Sequence, residues 1–261
     1  MAVRKAGRIA AAVAATALVA LGAAACGPED IPGNGGGKGK GSASSSGGSS
    51  GSAEDPAAGA PEAKEPPADV AALAKVPASV KGGVITVGDP QAGHTVKLYE
   101  DPRCPICKKF EDTGAKALIK PVADGKVKVE YTLASFLDKN LGGSGSVNAV
   151  NALRASVEAG KFPQFHAAVF ANQPESESED AYTPAFLLKI ADKVDGLRGP
   201  AFDKAVTNVT YKKWVGEAMQ SFTDDGMSGT PSVFIDGEKP ESNALFDEAA
   251  FAKELKASGI S

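Results

Sequence analysis

The chain has 261 residues, enough for one large domain or two small ones, and 43% of them are hydrophobic, enough for a real core. Its formal charge is -4 with no basic patch, which argues against nucleic acid as the main partner. Of the three cysteines, Cys26, Cys104 and Cys107, the last two form a Cys-X-X-Cys pair; with Cys26 used elsewhere, the domain keeps none for a structural disulfide.

Residues 1–25 read as an export signal. Arg4, Lys5 and Arg8 form a positive start, and Ile9 to Leu21 is an apolar run too short to span a membrane comfortably. Small residues Ala23-Ala24-Ala25 precede Cys26. This resembles a bacterial lipoprotein signal, whose cysteine becomes the lipidated first residue, although Ala23 stands where Leu is usual. The competing reading is an ordinary cleaved signal with Cys26 incidental. Residues 26–70, rich in Gly, Ser, Ala and Pro, hold almost nothing that could enter a core and read as a disordered tether. A flexible tether of this length has a root-mean-square span of about 35 Å, which would hold a domain off a membrane while letting it reach partners.

The globular domain, residues 71–261, starts with strand-like Val84 to Val87 and with His94 to Tyr99, which alternates apolar and polar residues. A helix from about Cys104 to Lys120 follows, stopped by Pro121, then a third strand over Val127 to Thr132. Strand, helix, strand in this order makes a βαβ unit with a parallel pair. A helical block over about 144–222 comes next. Val147, Val150, Leu153 and Val157 recur at helical spacing, Phe162 to Phe170 continues, Glu175 to Asp180 is a loop, and Phe186 to Ala191 and Phe202 to Val215 are further helical pieces. Trp214 reads as core, and His166 as a surface or packing residue. Strand character returns over Ser228 to Gly237, where Asp236-Gly237 suggests a hairpin, and Phe246 to Leu255 closes the domain as a helix.

The chemistry-bearing stretch is Asp101-Pro-Arg-Cys-Pro-Ile-Cys-Lys-Lys-Phe110, where a strand runs into a helix. A Cys-X-X-Cys pair placed there can cycle between dithiol and disulfide. Pro105 suits the first helical position, since its φ is already helical and its missing N–H loses nothing. The unpaired N–H groups of that turn favour a Cys104 thiolate, so Cys104 is the attacking or attacked sulfur and Cys107 resolves the mixed disulfide. No metal is expected: zinc needs about four ligands, and neither His94 nor His166 stands in a ligand-like cluster. A Cu(I) site on the two thiolates stays open as an alternative, as does a non-catalytic, partner-binding role.

Four segments together resemble the DsbA-like branch of the thioredoxin superfamily: Leu98 to Phe110 with its Cys-Pro-X-Cys, Gly160 to Gln173, Gly226-Met-Ser-Gly-Thr-Pro-Ser-Val-Phe-Ile-Asp-Gly237, and the final helix, which is compatible but generic. The likeness spans roughly residues 80–256. It implies an α/β thioredoxin-like fold, a mixed sheet carrying an inserted helical subdomain, and an enzyme that needs no cofactor. It also implies a cis bond before Pro231, with Thr230 holding a substrate peptide by its main chain and Pro105 and Ile106 on the substrate face. Glu100 and Asp101 become candidates for proton handling, with Asp101 the better match to the family's acidic position. Ile106 stands where strongly oxidising relatives carry His, so a milder oxidant is expected. The implied partners are cysteine-containing secreted or surface proteins and a membrane redox-recycling partner, served by a lipid-anchored monomer outside the cytoplasm.

Overall fold

The computed structural model describes residues 55–260. The export signal, Cys26 and most of the tether lie outside the described residues. Five strands form one mixed sheet, in the order β1-β2-β4-β3-β5. Strands β1 (Ala78–Lys81) and β2 (Val84–Val87) make a hairpin. Strand β3 (His94–Glu100) leads into helix α1 (Pro105–Asp112) and α2 (Lys116–Ala123), and β4 (Val127–Leu133) returns parallel to β3. That is the expected βαβ unit. The short α3 (Leu137–Leu141) then opens the helical block: α4 (Gly145–Glu158), α5 (Phe162–Ala171), α6 (Pro184–Ala191), α7 (Pro200–Thr207) and α8 (Lys212–Asp224). Strand β5 (Ser232–Ile235) pairs antiparallel with β3, and α9 (Glu248–Ala257) packs against α2.

Four details differ from the sequence expectation, each for a local reason. The active-site helix is two helices, broken at Thr113-Gly114, where a Cβ on Gly114 would run into the Leu245 carbonyl oxygen. Pro121 does not stop α2. The helix runs on to Ala123 and ends at Gly125, whose φ of 73° supplies the left-handed cap that other residues resist. The hairpin after β5 stops at one bridge, Ile235 to Glu238, because Pro240 cannot donate to a ladder, and the chain turns into a 3-10 helix at Ser242–Phe246. Finally, the packed unit begins well before residue 71. Ala57 and Val70 are buried, and Asn172 clasps the Lys64 backbone by its amide N–H to the carbonyl at 2.9 Å and its oxygen to the N–H at 2.7 Å.

One core sits on both faces of the sheet. Val96 and Leu98 of β3 and Val127 and Val129 of β4 are fully buried beneath the helices. Phe110 of α1 meets Phe251 of α9 edge-on at 5.5 Å between ring centroids, and Phe165 meets Phe202 in the same way at 5.5 Å. Each such ring contributes about 1.5–3 kcal/mol by burial, and these contacts tie α1 to α9 and α5 to α7. Trp214 is core, as expected, and its indole N–H donates to the Gly82 carbonyl at 2.7 Å, tying α8 to the β1–β2 turn.

Candidate active site

The end of β3 delivers Glu100 and Asp101, a tight turn follows, and α1 starts at Pro105 with Cys104 as its N-cap. Side chains hold this turn from several directions. Asp101 accepts from the Arg103 N–H at 3.1 Å, the Leu137 N–H at 3.1 Å and the Ser146 hydroxyl at 2.7 Å. Arg103, buried beside Cys104, donates to Asp138 at 2.9 Å and to the carbonyls of Gly142 and Glu177 at 2.7 and 2.8 Å. The Gln173 amide donates to the Pro102 and Cys104 carbonyls at 2.7 and 3.0 Å. Loop, α3, α4 and the end of α5 therefore converge on the backbone of Cys104.

The two sulfurs are free thiols in this structure and differ in access: Cys104 is 8% exposed and Cys107 0%. Cys104 is thus the reachable member, although less open than the sequence suggests. Its thiol lies 3.4 Å from the Thr230 carbonyl oxygen and donates to it. The Thr230–Pro231 peptide bond is cis, as the resemblance implies. Pro105 and Ile106 are exposed beside the sulfurs, Ile106 at 47%.

Electrostatics separate the sulfurs further. The Cys104 thiol is lowered to about 6, chiefly because the Cys107 thiol donates to its anion. The Thr230 side chain and the backbone N–H groups of Cys107 and Ile106 add to this, and burial opposes it. That value lies above the most acidic known thiols, at about 3.5. Burial pushes the Cys107 thiol well up, with the Cys104 hydrogen bond and the Glu100 charge adding to it.

The two acids have separate places. Asp101, the better sequence candidate for proton handling, is raised to about 6 by burial and is fully engaged as a backbone and hydroxyl acceptor. Glu100 is the acid whose charge acts on both sulfurs. It is fully buried, its Oε2 lies in hydrogen-bond reach of His166 Nε2 at 3.1 Å, and its Oε1 has no hydrogen-bond partner. His166 is therefore neither surface nor mere packing. It also stands in a cluster after all: Glu100, Glu111 and His166 bring polar atoms within 4.8 Å of one another, and among the described residues the cysteines join no such group. Burial pushes the Glu100 and Glu111 carboxyls well up and keeps His166 low, hence neutral.

Sequence reading missed Glu111, His166, Arg103 and Gln173. Glu111 carried a usable signal, being four residues after Cys107 and so on the same helix face. His166 and Gln173 carried none, because only the folded insertion brings α5 under the end of β3.

The fold and this paired-thiol turn define a thioredoxin-fold protein. The family model described as Thioredoxin matches residues 80–252, and the chain belongs to that family. No curated protein sequence matches it. Among solved structures, MdbA, a thiol-disulfide oxidoreductase from Corynebacterium matruchotii, is 24% identical over 67% of this chain and 92% of its own, with a TM-score of 0.53. Oxidised BdbD from Bacillus subtilis is 19% identical over 76% and 98%, with a TM-score of 0.56. The reduced disulfide bond oxidoreductase DsbG from Mycobacterium tuberculosis is 22% identical over 72% and 89%, with a TM-score of 0.56. At these identities the likeness shows the shared fold.

Proposed function

We propose that the protein is a thiol–disulfide oxidoreductase acting outside the cytoplasm, exchanging a Cys104–Cys107 disulfide with cysteines of secreted or surface proteins, in the oxidising direction. One observation carries this reading: a reachable Cys104 thiol lowered to about 6, set against the Thr230 carbonyl and backed by a fully buried Cys107. The oxidoreductases sharing the fold support it. A substrate thiolate attacks Cys104 Sγ, the S–S bond breaks with its electron pair going to Cys107, and Glu100 gives Cys107 a proton. A second substrate thiolate then attacks its own sulfur in the mixed disulfide. The substrate leaves oxidised, with Cys104 as a thiolate, the better leaving group because its thiol is the more acidic. Thr230 and Pro231 hold the substrate strand, and Pro105 and Ile106 give it an apolar rest.

No helix among the described residues is long and apolar enough to cross a membrane. In this reading residues 1–25 are the export signal and Cys26 takes the lipid, so that the protein is a membrane-held monomer reoxidised by a membrane redox partner. The trapping variant Cys107→Ala tests the reading: it should accumulate mixed disulfides with secreted proteins through Cys104. A variant that traps nothing, together with a wild type that binds Cu(I) tightly through the pair, would reverse it. In cells, a mostly oxidised pair fits the oxidase direction and a mostly reduced pair fits a reductase.

A further inference from the structure

Cys107 is sealed from the face on which substrate arrives, yet its proton must come and go. Above about pH 6, reduction of the pair adds two electrons and one proton, because Cys104 stays a thiolate and Cys107 becomes a thiol. Reoxidation removes both. The Glu100 charge acts on Cys107, but Glu100 is itself fully buried.

Behind Glu100 the structure continues polar. His166 sits between two carboxyls, its Nε2 3.1 Å from Glu100 Oε2 and its Nδ1 3.7 Å from Glu111 Oε2. Glu100 Oε1 and Glu111 Oε1 are both buried without a partner. Two carboxyls bridged by a neutral imidazole, which offers a single N–H between them, are brought into accord by one mobile proton. Glu111 and His166 also line a cleft of about 70 Å³ that does not include Thr230, walled by Val70 and Leu73 of a second 3-10 helix, Ala68–Leu73, and by Leu118 of α2. One water needs roughly 10–15 Å³ of such space, so the cleft can hold a short water chain.

We infer that Glu100, His166 and Glu111 form a proton relay that connects buried Cys107 to solvent through this cleft. It rests on the exchange reading above. When the reduced, equilibrated protein is reoxidised, Glu100 passes its proton along His166 and Glu111 to cleft water. It then takes the Cys107 proton while Cys107 Sγ bonds to Cys104 Sγ and displaces the thiolate held there. In the reductive half-reaction Glu100 starts loaded and donates at once, and the relay only reloads it. The raised carboxyls agree with a proton being resident in the cluster. The other groups facing it are Tyr131 of β4, whose ring lies 4.9 Å from His166, Asp112 of α1, and Asp69 and Lys116 at the cleft.

The two half-reactions separate this role from a structural one. Starting from equilibrated full-length protein, reduction by a thiol and oxidation by excess glutathione disulfide are each followed by acid quench and mass spectrometry. Glu111→Gln and His166→Ala should reduce at the wild-type rate. On oxidation they should accumulate the Cys104–glutathione mixed disulfide, with ring closure slowed about tenfold, below the 10²–10⁴ of direct general catalysis. Added imidazole should restore closure in His166→Ala through the enlarged cleft, while near-isosteric Glu111→Gln guards against misfolding. Equal rates in both half-reactions, equal slowing of both, or one tightly held divalent cation per chain would overturn the relay and leave the exchange reading standing. A wild type with no exchange at all would overturn both.

Discussion

Cys104 and Cys107 are three residues apart and differ in every property that decides reactivity. With Cys104 lowered to about 6, its alkylation rate should rise through a midpoint near pH 6, while native Cys107 stays unmodified; a midpoint near 8.5 would contradict this. The same shift sets a stability window. A thiol whose folded pKa is depressed contributes stability above its unfolded value of about 9, and loses it as pH falls through about 6. The reduced form should therefore gain on the oxidised form between pH 6 and 9 in paired urea titrations, and a flat difference would count against a depressed thiol. The two neighbouring acids divide labour in a measurable way. Asp101→Asn points an amide N–H at groups that are themselves donors, so it should cost about 3 kcal/mol of unfolding free energy. Glu100→Gln should leave stability nearly intact and slow Cys107 chemistry on the order of 100-fold.

At the scale of elements, the turn between β3 and α1 works because its neighbours are fixed. Gly114 lets α1 end and α2 begin against the Leu245 carbonyl, so Gly114→Ala should destabilise by about 1–3 kcal/mol, read as a lower urea midpoint at unchanged slope. Elements with strong periodicity, β3, β4 and α4 to α6, were legible in the sequence, and so was the Cys-Pro-Ile-Cys turn. What the sequence hid was decided by contacts distant in the chain. Pro121 sits inside α2, which runs two residues further to Ala123 before the left-handed Gly125 closes it. The chain after β5 leaves the sheet because Pro240 cannot pair. The different surroundings of Asp101 and Glu100 were hidden because only the packed α4 and α5 reveal that Ser146 contacts one and His166 the other.

At the scale of the whole molecule, the sheet holds the paired thiols at its end, the helical insertion closes over them, and residues 55–70 brace that insertion. Asp55 pairs with Arg198 at 3.0 Å, and the Lys64 backbone is clasped by Asn172, next to the Gln173 that holds the Cys104 loop. Removing residues 1–54 should leave exchange unchanged, whereas removing 1–66 should lower stability by about 2–4 kcal/mol in urea unfolding. The composition of residues 26–70 suggested a tether throughout, since Ala, Pro and Glu carry no periodic pattern; the packing of its last part comes from partners more than a hundred residues away. The most direct test of the central claim is disulfide transfer. The oxidised protein is mixed with a reduced, unfolded cysteine-containing protein, and the disulfides on both are counted over time. The expected result is loss of the Cys104–Cys107 disulfide matched by one new disulfide in the acceptor, abolished by Cys104→Ser. An acceptor that stays reduced while the Cys104–Cys107 disulfide persists would contradict the account.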